Sequence, residues 1–372
     1  MRGVILLTLL WSLNIVANSE KLNVVCSLTV ASCPTPFKGK GNVVALKFED
    51  GQAQFQVKDQ FDFPDGIDNA CPVMESSVMA DHSNISTILS FTTEWGLVSV
   101  IDLTTGKITQ SVKGSSSDQY LFDGFTSMKL ANDFKNLLGI TPHVTQDGFC
   151  SDGCFRYGMQ NLETGVFSAL SGNGPGGALP FKAGQSQTSY FDDRNNVFYV
   201  QGSYPLSPSA RCSSDDISDC LLAINTKDGK LMSSKLIPEN VVVYKYHTDN
   251  STAENVLAFV YGFEKICKHP YESYAFTHIN LESGKIIGKP VCMSKLITVH
   301  QKPEMGSFSS DGKYFVLANG DTEGSDFQLL VFNTETGEAV VNSDLKGLKK
   351  ALHVSTEVPL MQVWGISASN AP

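Results

Sequence analysis

Leu330-Val331-Phe332-Asn333 runs into a polar turn that reaches Gly337, and a second strand-like run, Glu338 to Val341, follows at once. A short, wholly apolar run reads as a strand buried on both faces, and an Asn-containing turn with a glycine reads as a tight reversal. The same unit occurs five more times. Upstream copies are Val43-Val44-Ala45-Leu46 to Gly51, Val98-Ser99-Val100-Ile101-Asp102 to Gly106, Tyr157-Gly158-Met159-Gln160-Asn161 to Gly165, Leu221-Leu222-Ala223-Ile224-Asn225 to Gly229, and Thr277-His278-Ile279-Asn280 to Gly284. The turn glycines advance by 55, 59, 64, 55 and 53 residues. That period suits one four-stranded antiparallel unit with generous loops, repeated along the chain. The fold class is therefore all-β, a β-propeller of six four-stranded blades, with seven as the alternative count.

The last copy displays a whole blade. Met305 to Phe308 is the inner strand, Ser309-Ser310-Asp311-Gly312-Lys313 a tight turn, Tyr314 to Ala318 the second strand, Phe327 to Phe332 the third and Glu338 to Val341 the fourth. First and second strands recur as Val73 to Met79 with Thr87 to Phe91, Thr126 to Leu130 with Leu137 to Ile140, Thr188 to Phe191 with Val197 to Val200, and Val241 to Tyr246 with Val256 to Tyr261. The ends supply the remaining blade. Val43 to Phe48 and Ala53 to Val57 read as a third and fourth strand, and Ala351 to Ser355 and Leu360 to Ile366 as a first and second. Joining these pairs closes the ring with strands from both termini and leaves no bare sheet edge at the ends. Val24 to Val30 has no place in this count; it packs on the closure blade or belongs to a seventh.

The stretch Ser309-Ser310-Asp311-Gly312-Lys313-Tyr314-Phe315-Val316, followed by Leu329 to Gly337, resembles repeats of the YVTN-type and quinoprotein-like propeller superfamily. The resemblance implies an architecture. These motifs encode turn geometry, so none of that superfamily's activities comes with them.

Met1-Arg2-Gly3, the apolar run Val4 to Val16 and Ala17-Asn18-Ser19 follow the order of a secretory signal peptide, so residues 1–19 read as a leader and 20–372 as a single propeller domain. The run is shorter than the roughly 20 residues that span a bilayer, and no later run approaches that length, so no membrane insertion is expected. A formal charge of −10 without a dense Lys/Arg cluster excludes nucleic acid as the expected partner. Nine cysteines in a chain sent to an oxidising compartment imply disulfides. Spacing suggests Cys150 with Cys154, Cys212 with Cys220 and Cys267 with Cys292, and leaves Cys26, Cys33 and Cys71 with one odd thiol. Asn84-Ile85-Ser86 and Asn250-Ser251-Thr252 are glycosylation sequons.

No catalytic motif stands out. There is no Gly-x-Ser-x-Gly elbow, the histidines are scattered, and the Ser171 to Gly177 glycine run lacks the Lys-Ser/Thr of a phosphate loop. By analogy with other propellers, the loops entering the inner strands place Glu75, Asp123, Gln187, Asn240 and Glu304 at the channel mouth. Oxygen ligands from several blades, Glu75, Asp123, Asn240 and Glu304 among them, suit calcium. Two functions follow. An extracellular module binding a protein or glycan through inter-blade loops needs only the fold, the stapled loops and the sequons; a calcium-dependent six-bladed hydrolase, lactonase- or esterase-like, needs a converging metal site as well.

Overall fold

The computed structural model describes residues 22–29, 40–49, 52–62, 73–75, 85–92, 97–102, 107–116, 127–130, 135–142, 144–145, 148–149, 155–171, 178–179, 182–183, 189–192, 195–203, 220–228, 230–237, 241–247, 254–267, 274–294, 306–309, 311–319, 328–344, 350 and 362–370. Nearly all of this is strand. β1 (Leu22–Thr29), β2 (Lys40–Glu49) and β3 (Gln52–Asp62) begin the first sheet, and β4 (Val73–Glu75), β5 (Ile85–Thr92), β6 (Leu97–Asp102) and β7 (Lys107–Lys113) form the second. β8 (Ser115–Ser116) leads into the third, which contains β9 (Ser127–Leu130) and β10 (Asn136–Pro142). The hairpin β11 (Val144–Thr145) and β12 (Gly148–Phe149) then precedes β13 (Phe155–Asn161), β14 (Val166–Ser171) and the short β15 (Ala178–Leu179), which complete the third sheet. The fourth holds β16 (Lys182–Ala183), β17 (Ser189–Asp192), β18 (Val197–Ser203), β19 (Cys220–Asn225) and β20 (Leu231–Leu236). The fifth runs β21 (Val242–Tyr246), β22 (Asn255–Tyr261), a single helical turn α1 (Glu264–Cys267), β23 (Tyr274–Asn280) and β24 (Ile286–Cys292). The sixth is β25 (Ser307–Phe308), β26 (Tyr314–Asn319), β27 (Gln328–Asn333) and β28 (Ala339–Asp344), after which β29 (Gln362–Asn370) returns to the first.

First strands of neighbouring sheets adjoin, β29 with β4 and β25, and β17 with β9 and β21; the outer strands β28, β3 and β7 adjoin likewise. Successive antiparallel sheets packed in this way make the protein an all-β propeller. The first sheet, in the order β29-β1-β2-β3, joins both ends of the described chain but corrects the expected closure. β1, the segment without a place in the repeat count, pairs with β29 from Leu22↔Asn370 to Thr29↔Gln362 and with β2 on its other side. Because β1 fills the row between them, a second C-terminal strand has no edge of β2 to pair with. The expected strand Ala351 to Ser355 lies outside the described residues.

The repeating turn has a local cause. Asn161 Oδ1 accepts the backbone N–H groups of Glu163 and Thr164, and Asn333 Oδ1 those of Glu335 and Thr336, at 2.8 to 3.0 Å. Asn280 accepts from Ser283 and Asn225 from Lys227 in the same manner. These side chains mimic a backbone turn. The glycine N–H then closes onto the carbonyl of its own Asn, as Gly165 does on Asn161, Gly284 on Asn280 and Gly337 on Asn333. One residue past each Asn, the N–H groups of Leu162, Thr226, Leu281 and Thr334 donate to Lys135, Asn196, Glu254 and Lys313, tying the third-to-fourth turn to the first-to-second.

The turn also seats one sheet on the next. Gly337 has φ 73°, and a Cβ there would run into the carbonyl oxygen of Cys292 at the end of β24. Ser294 N–H donates to Gly337 O at 2.8 Å, and Ala339 N–H to Ser294 Oγ at 3.0 Å. Gly284 repeats the arrangement against β20, where a Cβ would stand 2.9 Å from Leu236 O.

Between the sheets lie the cores. Ile140 and Tyr157 of the third meet Phe198, Val200, Leu222 and Ile224 of the fourth, with Tyr157 stacked on Phe198 at 5.0 Å. Tyr190 and Leu221 of the fourth meet Val243, Tyr246, Val256 and Ile279 of the fifth. Phe259 and Phe276 of the fifth meet Phe308, Phe315 and Phe332 of the sixth. Each large side chain removed from water contributes about 1.5–3 kcal/mol. A middle strand such as Cys220-Leu221-Leu222-Ala223-Ile224 is buried on both faces because each face meets a different sheet, which explains its unbroken apolar run.

Candidate functional site

In an antiparallel unit the first-to-second and third-to-fourth turns share one end, and the second-to-third connections share the other. Turns at the first end are mostly short: 131–135, 193–196 and 309–313, then 162–165, 226–230, 281–285 and 334–338. Connections at the second end are mostly long: 143–154, 204–219, 262–273 and 320–327. Segment 93–96 is the short one there, while 76–84 and 247–254 are the longer turns at the opposite end. Short turns and long connections thus fall at opposite ends of the sheets, the usual disposition where recognition is built on loops.

Of the expected mouth residues, Glu75 is the last residue of β4, its backbone paired with Ser90. Asp123, Gln187, Asn240 and Glu304 lie outside the described residues. Among the described residues no group of three or more His, Cys, Asp or Glu side chains converges as a metal site. The calcium set therefore stays an expectation from the sequence.

A disulfide joins Cys267 and Cys292, with Cα atoms 5.4 Å apart. It links the end of α1, a helical turn that the sequence did not suggest, to the end of β24. Cys220 is fully buried and disulfide-bonded, to a partner outside the described side chains. Cys26 lies in β1, where the backbone alone is described; Cys33, Cys71, Cys150, Cys154, Cys212, Asn84 and Asn250 lie outside the described residues.

Several buried polar groups escaped sequence reading. Gln201, on β18, is 1% exposed and bridges two sheets: Nε2 donates to Val241 O and Oε1 accepts from Val243 N–H, both at 2.8 Å. Its amide thus serves as a piece of strand between β18 and the start of β21. Arg156 is fully buried on β13, opposite the equally buried Thr141, with its guanidinium 5.2 Å from the centre of the Phe167 ring, a cation–π contact. His247 is buried at the end of β21, edge-on to Phe308 and against the Gly312 turn of the sixth sheet. The sequence signal for the first two was a polar residue inside an apolar run, Phe155-Arg156-Tyr157 and Val200-Gln201. Burial pushes the Tyr246 phenol well above its ordinary range; it does the same to Tyr157, the Thr226 side chain offsetting part of the effect. Tyr199 is raised by burial and then by the carboxylates of Asp192 and Glu282.

No family model and no curated protein matches the chain. Similar solved structures include TolB from Acinetobacter baumannii, 12% identical with a TM-score of 0.44, over 87% of this chain and 66% of that one. The chain thus spans about two thirds of that TolB. A putative TolB from Agrobacterium tumefaciens is 8% identical, TM-score 0.44, over 87% and 89% of the two chains. Oligogalacturonate lyase from Vibrio parahaemolyticus is 13% identical, TM-score 0.41, over 85% and 78%. At these identities the likeness concerns the fold alone.

Proposed function

We propose that the chain is a secreted propeller glycoprotein that binds an extracellular protein or glycan through its inter-blade loops. The observation that supports this reading is the segregation of long connections, 204–219 and 262–273 above all, to one end of the sheets while the other end is held by hydrogen-bonded turns. The Cys267–Cys292 disulfide and the absence, among the described residues, of any helix long and apolar enough to cross a membrane are compatible with an extracellular or periplasmic location. Expression of the full chain in a secreting eukaryotic host should yield medium-borne protein that begins at Glu20 and loses mass on glycosidase treatment, in a step abolished by Asn84→Gln with Asn250→Gln. On arrays of glycans and of extracellular protein domains, replacing 204–211 by a flexible linker, which spares Cys212, should remove binding and leave melting unchanged. Stoichiometric calcium, together with turnover of a lactone or ester that Glu304→Gln abolishes, would replace this reading by the calcium-dependent hydrolase.

A further inference from the structure

The outer strands of the fourth, fifth and sixth sheets follow one another around the rim. Leu236, the last residue of β20, meets the Gly284 turn that opens β24, and Cys292, the last of β24, meets the Gly337 turn that opens β28. Lys230, Lys285 and Glu338 hold the same place in the three turns, because the carbonyl of each accepts the N–H of the turn asparagine, Asn225, Asn280 or Asn333. The charge of the rim nevertheless changes from sheet to sheet. The third sheet carries the exposed Glu163 in its turn, and the sixth the exposed Glu335 and Glu338. Between them the fourth and fifth carry Lys227, Lys230, Lys235, Lys285 and Lys289, all exposed.

These lysines are dispersed in sequence and are brought together by the seam between two sheets. A Cβ on Gly284 would lie 3.0 Å from Lys235 Cβ, and Lys285 is the next residue. Against the five ammonium groups, these strands and turns set Asp228, ion-paired with Lys230 at 3.2 Å, and the exposed Glu282. In a chain of net charge −10 the seam is a local reversal of sign. Large apolar side chains stand in solvent among the lysines: Met232 and Leu236 on β20, 55% and 43% exposed, and Ile287 on β24, 43% exposed. Neither strand contains an arginine or an aromatic residue.

We infer that this rim docks on the surface of an anionic lipid bilayer. The ammonium groups meet acidic headgroups, while Met232, Leu236 and Ile287 enter the boundary between headgroups and acyl chains. Long lysine stems allow the charged ends to stay in the headgroup layer as their apolar neighbours sink past them. Such docking needs no spanning segment, and a single basic patch makes it reversible and sensitive to salt. A soluble sulfated polysaccharide would match the lysines and leave three apolar side chains in water. A protein partner is a poorer match, since protein interfaces favour arginine and aromatic anchors and are depleted in lysine, the reverse of this rim. The rim belongs to β20, β24 and their turns rather than to the long connections, so the inference does not rest on the preceding reading.

The test is cosedimentation of the purified full chain with vesicles of phosphatidylcholine alone and of phosphatidylcholine mixed with phosphatidylserine. The mixed vesicles should bind at least about tenfold more tightly than the neutral ones, and Lys235→Glu with Lys285→Glu should weaken that binding by about tenfold or more. Lys135→Glu with Lys313→Glu makes the same change of charge on the third and sixth sheets and should not weaken it. Met232→Ser with Ile287→Ser should weaken it at constant charge, a loss that a purely electrostatic contact would not show. All six positions are exposed, so folding is checked by an unchanged melting curve. Equal binding to the two kinds of vesicle, no binding, equal loss from the two lysine pairs, or indifference to the apolar pair overturns the inference. So does tight binding of a heparin-type oligosaccharide or a polyglutamate peptide, abolished by the Lys235 and Lys285 reversals, without measurable binding of vesicles; that result would identify a site for a soluble polyanion instead.

Discussion

Gly337 and Gly288 both have positive φ, yet they should respond differently to a methyl group. At Gly337 the added Cβ meets the Cys292 carbonyl, whereas at Gly288 it meets nothing within 4 Å. Gly288→Ala should cost only the backbone strain, about 1 kcal/mol, and Gly337→Ala about 3 kcal/mol or more, because the joint between the fifth and sixth sheets must also shift; denaturant midpoints of the two variants measure the difference. Gln201→Leu keeps the volume but leaves Val241 C=O and Val243 N–H buried and unmatched, so a loss of about 1–3 kcal/mol is expected. Burial raises the Tyr246 and Tyr157 phenols, and the fold therefore favours their neutral form. Their contribution is complete below the ordinary tyrosine value of about 10 and is lost as pH rises beyond it, since the unfolded chain releases those protons first. Tyrosinate absorbance should thus rise in two steps, exposed phenols first and buried ones only with the loss of β-sheet circular dichroism. Complete titration with the circular dichroism intact would contradict that assignment.

Among the elements, the sixth sheet was the most readable, and its Ser309 turn shows why. Ser309 Oγ donates to Asp311 Oδ1 at 2.7 Å and accepts Tyr314 N–H at 2.9 Å, so the turn is formed by residues within five positions of each other. Asn161, Asn280 and Asn333 act over three. Chemistry that local leaves its trace in spacing. β1 was illegible for the opposite reason: what makes it the second strand of its sheet is β29, more than 300 residues away, and nothing in Val24 to Val30 specifies that partner. The mouth set stays an expectation, because a polar residue near the end of a strand reads the same in sequence whether it points inward or out. At the same scale, the Cys267–Cys292 bond holds the end of β24, on which Gly337 and Ser294 build the next joint. Replacing both cysteines by Ala should lower stability by about 2–4 kcal/mol. Hydrogen exchange should rise first at Ser294 and Gly337; an increase confined to α1 would show that the bond serves only its own loop.

For the whole molecule the decisive strand is β29. Ending the chain at residue 361 exposes an edge of β1 that is paired in the intact protein, and such an edge recruits other chains. The truncated protein should associate in a concentration-dependent manner in light scattering, and a synthetic peptide of residues 362–370 supplied in trans should reverse it. A truncated protein that stays monomeric with an unchanged melting point would show that β29 is dispensable. The position of β29 has a temporal consequence. Ribosomes add roughly 5–20 residues per second, so β1 emerges on the order of tens of seconds before the strand that covers it. During that interval the nascent first sheet holds β2 on one side of β1 and an open row of hydrogen-bonding groups on the other, while the remaining sheets are translated behind it. The order of synthesis thus makes β1 the natural target for a holding chaperone in the compartment where the chain folds, and the arrival of β29 the event that ends that protection.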